Sequence, residues 1–147
     1  MVHNFDRFPE LTNSEMSKFY WDSPHKQITR NFTGIVTKVI DGDTFKIKWA
    51  ERDFDFKVRF LNIAAPELSE NGGKQSKGWL ESQILDKEVE IKINPDNRVG
   101  KWGRLLGYVS RFNIDIGEQS IREGFATSWG RRNDGKLPSI EEILNIK

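Results

Sequence analysis

A chain of 147 residues holds one domain with short appendages and can bury a core of ordinary size. A formal charge of +1 gives no global basic field, so any affinity for nucleic acid must come from a local patch. The lack of cysteine excludes disulfides, thiolate metal sites and a thiol nucleophile, and agrees with a cytoplasmic location.

No apolar run reaches the length needed to cross a bilayer, and Met1–Arg7 lacks the apolar stretch of a secretory leader. The expectation is a cytoplasmic protein with no membrane partner. Residues 1–31 read as an N-terminal arm. In it, Thr12-Asn13-Ser14-Glu15 has capping-box spacing ahead of Met16, Phe19, Tyr20 and Trp21, which predicts a short amphipathic helix. Ser23-Pro24 ends it, because the residue before proline is pushed out of the helical region. These aromatics can stack nucleic-acid bases or pack the helix against a barrel; packing is the expectation. His3 and His25 have no partner at metal-ligand spacing and read as surface residues.

From Phe32 the hydrophobic period becomes two, the signature of strands, and residues 32–129 read as the main domain. Strands are predicted over Ile35–Ile40, Phe45–Trp49 and Phe54–Phe60, joined as an antiparallel meander. Pro66 breaks the third, and Asn71-Gly72-Gly73 reads as a mobile loop before a helix over Lys74–Leu85. Strands follow over Val89–Ile93 and Leu105–Val109, then a helix over Ile116–Ala126 whose Gly124 is tolerable only near its end. Residues 130–147 read as a loop and a short helix over Ser139–Leu144 with Ser139 as N-cap. Five strands with a helix between the third and fourth is the pattern of an OB-fold barrel, mainly β with two to three helices.

The stretch from Val39 to Glu67 carries the chemistry. An acidic turn, Asp41-Gly42-Asp43-Thr44, is followed by Arg59 in the third strand and by Ala65-Pro66-Glu67. Folded as a hairpin and a returning strand, it brings a carboxylate, an arginine and a second carboxylate to one rim. Oxygen ligands suit a hard cation, a guanidinium suits phosphoryl oxygens, and a carboxylate can take a proton from water. Lys101-Trp102-Gly103-Arg104 adds a second arginine, with Lys101 and Trp102 as a cation and stacking face for a nucleotide. The grouping reads as a phosphodiesterase site. Each residue also has a plain structural reading: Asp43 as a turn former, Glu67 as a loop carboxylate, Arg104 packed on either, Trp102 as half core. For Arg59 that reading is a salt bridge on the solvent face of its strand, worth about 0 to 1 kcal/mol.

These motifs resemble the thermonuclease (staphylococcal nuclease-like) family, from about Thr33 to Trp129. The similarity rests on Val39-Ile40-Asp41-Gly42-Asp43-Thr44, on Arg59 with Ala65-Pro66-Glu67, on Gly103-Arg104, and on Gly117–Ala126, in family order. The resemblance implies a calcium-dependent nuclease acting on DNA and RNA phosphodiesters. By position, Asp43 would be a metal carboxylate and Ala65 would offer its backbone carbonyl. Glu67 would act as general base, and Arg59 and Arg104 would bind the scissile phosphate. The sequence departs at Ala64, where the family usually has a metal-binding aspartate. Asp41, Asn62 or Glu67 could fill that place, or water could. The departure leaves open a nuclease with weakened metal affinity, a degenerate nuclease kept for binding, and an introduced substitution. Trp102 replaces a common family tyrosine, other tyrosines are replaced around Trp129-Gly130-Arg131-Arg132, and the long C-terminal helix is shortened. The expected partner is DNA or RNA, single-stranded by preference, bound by a monomer. The competing possibilities are a non-catalytic OB-fold module binding single strands, and a protein-interaction domain docked through its aromatic arm.

Overall fold

The computed structural model describes residues 3–100 and 103–128. In chain order the elements are α1 (Asn13–Phe19), β1 (Phe32–Asp41), β2 (Thr44–Lys48), β3 (Phe56–Phe60), β4 (Ile63–Ala64) and α2 (Gly73–Ile84). They continue with β5 (Glu88–Lys92), β6 (Leu105–Arg111), β7 (Ile114–Asp115), α3 (Ile116–Arg122) and β8 (Thr127–Ser128).

Alternation decides the sheet. Phe45, Ile47, Val58 and Phe60 are buried, while Lys48 and Lys57 between them are exposed. β1, β2 and β3 pair as an antiparallel meander, β5 pairs the other edge of β1, and β6 pairs β5. A parallel pairing of β3 with β6 closes five strands into a barrel, leaving β7 as a short extension of β6. Two register irregularities in β1 let both Val36 and Val39 reach the interior, as bulges do in strongly bent strands. Leu80 and Ile84 on one face of α2, with Ile63, Ile116 and Ala126, complete the core. The OB-like barrel predicted from the strand order is therefore present, with three α-helices among the described residues.

Three boundaries moved for local reasons. β3 starts at Phe56 rather than Phe54, because the preceding turn is closed by Arg52 N–H on the Trp49 carbonyl at 3.1 Å. β6 runs on to Arg111 through a hairpin whose central residues, Phe112 and Asn113, both have positive φ, 53° and 64°, the handedness of a primed turn. Phenylalanine gives no hint of that conformation. α3 ends at Arg122, and Gly124 beyond it, at φ 85°, donates to the Ile121 carbonyl as a left-handed cap.

The arm differs more. The capping box forms as predicted: Thr12 Oγ1 accepts from Glu15 N–H, and Glu15 Oε1 accepts from Thr12 N–H. Yet α1 buries none of its own residues, and Trp21 after it is 91% exposed, so the helix does not pack its aromatic face on the barrel as expected. The arm is held instead by Glu10, a buried carboxylate between two buried arginines of the barrel. Its Oε1 lies 2.6 Å from Arg52 Nη2 and its Oε2 lies 3.5 Å from Arg98 Nη2. Arg98 also donates to the carbonyls of Leu11 and Ile28, and Arg52 is ringed by Trp49, Phe54 and Phe56 at 4.5–5.7 Å. Those π faces meet guanidinium N–H groups that have no hydrogen-bond acceptor. His3 and His25 are not plain surface residues. His3 packs against Phe5, Phe8 and Phe19 and pairs with Glu15, and His25 packs edge-on to Phe54 with its protonation disfavoured chiefly by burial.

Candidate active site

The Asp41-Gly42-Asp43 turn joins β1 to β2, and Asp43 N–H donates to Asp41 Oδ1 at 3.1 Å, the local bond that makes aspartate a turn former. Gly42 is required by packing. A Cβ there would overlap Ser76 Oγ of α2 and come within 2.7 Å of the Ala65 methyl. The turn is thus wedged under α2, and the carboxylate that follows it has a fixed place.

That carboxylate is buried and fully engaged. Asp43, 5% exposed, accepts from Arg59 Nη2 at 3.1 Å and Ala65 N–H at 3.0 Å on one oxygen, and from Thr44 Oγ1 at 3.0 Å on the other. Arg59 stands opposite Thr44 across β2 and β3 and is only 7% exposed. The plain structural reading of Arg59, a salt bridge on the solvent face, holds for the ion pair but not for its exposure. Alternation puts Arg59 outside the barrel, but the segment after β4, tied to Asp43 through the Ala65 N–H, reaches the same carboxylate. A buried pair of this kind is costly to break from one side, by about 3–5 kcal/mol, since one charge is left without its partner.

Asp41 is drawn into the same cluster. Burial first, then the hydrogen bond and charge of the neighbouring Asp43, push its carboxyl up to about 7. Two acidic groups lie side by side, and only Asp43 has a guanidinium against it, an arrangement that an additional cation would relieve. Ala64 is fully buried and pairs with Thr127 of β8. Asn62 does not take over the missing ligand's place: its Nδ2 reaches Asp115 Oδ1 at 3.4 Å, and its amide lies against Gly117 of α3.

Glu67 is exposed two residues after Ala65. Its N–H donates to Glu70 Oε1 at 2.7 Å, its carbonyl accepts from Glu70 N–H at 2.9 Å, and Gly73 packs directly on that carbonyl. The segment expected as a mobile loop is thus a hydrogen-bonded turn that runs through Gly72, at φ 85°, into α2. Arg104 is half-buried just before β6. The parallel register, Val58 with Leu105 and Arg59 with Leu106, sets it level with Lys57, one alternation step along from Arg59. It lines a groove with Lys46 and Lys57, and makes no ion pair with a described residue. Lys101, Trp102, Trp129–Arg132 and the helix expected over Ser139–Leu144 lie outside the described residues. Sequence reasoning missed the parts played by Gly42, Thr44, Ser76 and the Ala65 N–H. Of these, only Ser76 stood outside the recognised motifs.

The family described as "Staphylococcal nuclease homologue" matches residues 57–145, more than half of the chain. An "Uncharacterized endonuclease" of Escherichia coli O157:H7 is 28% identical over 110 residues, covering 74% of this chain and 69% of that protein. A "Probable endonuclease LCL3" of Arthroderma otae is 26% identical over 163 residues, covering 89% of this chain and 54% of the relative. The "Endonuclease YhcR" of Bacillus subtilis is 28% identical over 113 residues, 67% of this chain but 9% of that much longer protein. With the closed barrel, the buried Asp43–Arg59 pair and the family match in agreement, the chain belongs to the staphylococcal nuclease homologue family.

Proposed function

We propose that the protein is a nuclease that hydrolyses phosphodiester bonds of DNA or RNA, with single strands as the preferred form and calcium as its cofactor. The observation that carries this reading is the buried Asp43–Arg59 pair with Asp41 crowded beside it, next to an outward face bearing Arg104 and Lys57. Support also comes from the relatives named as endonucleases.

The donor set fits a hard divalent cation. Asp41 and Asp43 offer carboxylate oxygens, with the Asp41 carboxyl raised first by burial and then by the hydrogen bond and charge of Asp43. The set is short, because among the described residues no three acidic, His or Cys side chains gather into a metal cluster. Asp43, Asp41 and the Ala65 carbonyl would hold calcium, and the ion would supply positive charge to the phosphoryl oxygens and acidify water. The chain's own groups do the rest. Arg59 and Arg104 bind the phosphate and neutralise charge that builds on its oxygens, a task suited to the planar, bidentate guanidinium. Glu67 orients the attacking water and takes its proton.

Ala64 favours a second reading, an OB-fold module that binds single strands without cutting them, since it removes one carboxylate from the expected set. A labelled single-stranded oligonucleotide separates the two. Cleavage with calcium that stops on chelation supports the nuclease; salt-sensitive binding with intact product supports the module. Each arginine is worth about 3–4 kcal/mol in the transition state, so Arg59→Ala or Arg104→Ala should lower turnover roughly a hundredfold or more. Unchanged turnover in both would remove them from the reaction.

A further inference from the structure

The N-terminal arm and the outer face of the barrel enclose a groove of about 660 Å³ that starts at Arg104. Its walls carry four cations: Arg7 from the arm, Lys46 of β2, Lys57 of β3 and Arg104. Against them stand Asp6, Asp55 and Glu10, and Glu10 already neutralises Arg52 and Arg98. None of the four cations makes an ion pair with a described residue. Lys46 and Lys57 are direct cross-strand partners, and like charges so placed destabilise a sheet. The register puts Arg104 level with Lys57, so three cations converge at one height on the barrel. Such a cluster, without an ion pair among the described residues, is what an anionic ligand would stabilise.

Resting on the nuclease reading, we propose that this groove is an extension of the substrate path. The sugar–phosphate backbone of a single strand leaves Arg104, passes the Lys46–Lys57 pair and reaches Arg7, which the arm holds over it. Two contacts fix the arm for this task. Phe8 packs so tightly on Gly103, at φ 73°, that a Cβ there would come within 2.5 Å of the ring. Three residues beyond Arg7, Glu10 is clamped between Arg52 and Arg98. Gly103 adjoins Arg104, so the arm buttresses the segment that carries the second phosphate-binding arginine. The half-buried rings of Phe8 and Phe54 line the same groove and give the bases a surface to lie on. Arg7 and Lys46 both lie outside the region matched by the family, residues 57–145.

The test is binding of single-stranded oligothymidylates of rising length, with chelator present so that nothing is cut. A phosphate contact to a single strand contributes about 0.7 to the slope of log affinity against log salt. Arg7→Gln should lower the slope by about 0.7, and Arg7→Gln/Lys46→Gln/Lys57→Gln by about 2. The wild-type gain in affinity on lengthening the strand should shrink in the triple variant. Lys87→Gln, on another face, should leave slope and length dependence unchanged. Equal slopes in wild type and triple variant, at matched folding by circular dichroism, overturn the proposal. So does an equal effect of Lys87→Gln. Binding that does not grow with strand length overturns it as well, and points to an acidic peptide as occupant. If the wild type binds in this pattern but cuts nothing with calcium, the groove stands and the nuclease reading falls; cleavage with unchanged slopes is the reverse.

Discussion

Asp43→Ala removes the acceptor of three hydrogen bonds at once. It leaves the Arg59 guanidinium, 7% exposed, without its carboxylate, and strips the Ala65 N–H and Thr44 hydroxyl of their acceptor. Truncating one partner of a buried ion pair costs about 3–5 kcal/mol, mostly because the surviving charge is stranded. For a chain of 147 residues that corresponds to a fall in melting temperature of about 10–15 °C. Arg59→Leu strands the opposite charge and should cost a similar amount. The double variant strands neither, so its loss should fall short of the sum by about 2–3 kcal/mol. Urea unfolding followed by tryptophan fluorescence gives all three values. If each single change costs under 1 kcal/mol and the two add, the pair behaves as an exposed surface bridge and the buried site described above does not exist.

Other expectations follow from the same cluster and from the arm. Ala64→Asp places a carboxylate at a fully buried position, so it should lower the melting temperature in chelator and raise the shift produced by calcium, measured by differential scanning fluorimetry. A calcium shift no larger than wild type would show that position 64 does not face the ion. Asp41 has its carboxyl raised to about 7, against an ordinary value near 4, so the folded state binds its proton more tightly. Its stabilising effect is complete below about pH 4, declines as pH rises to about 7 and is flat above. In the absence of calcium, Asp41→Asn should therefore gain stability over wild type as pH rises from 4 to 7 and keep that gain at 8.5; melting curves at three pH values check it. Glu10→Ala should destabilise by about 3–5 kcal/mol by stranding Arg52 and Arg98, and limited proteolysis should then release the arm before the barrel unfolds. Release together with the barrel would mean the arm has no separate attachment.

The barrel was readable because its strands alternate cleanly. Phe45, Ile47, Val58 and Phe60 point in, and no other period fits them. The site was readable where a motif and a turn coincide, as at Asp41-Gly42-Asp43, and unreadable where tertiary contact decides. Arg59 alternates as an outward residue, yet it is buried beside Asp43, the carboxylate to which Ala65 also returns. Asn62 offered an amide of the right kind, but the start of α3 claims it. Glu10, Arg52 and Arg98 are far apart in sequence and each looks like a solvated charge; nothing local says that they meet in the interior. The aromatic helix misled for the opposite reason, since its capping is local and came true while its packing is not local and did not.

The most direct test is the initial rate of cleavage of an end-labelled single-stranded DNA, with calcium, by wild type, Arg59→Ala and Glu67→Gln at matched folded concentration. The account predicts calcium-dependent products from the wild type and rates lower by roughly a hundredfold or more in both variants. Wild-type protein that leaves the strand intact, or variants that cut it as fast as wild type, would contradict it.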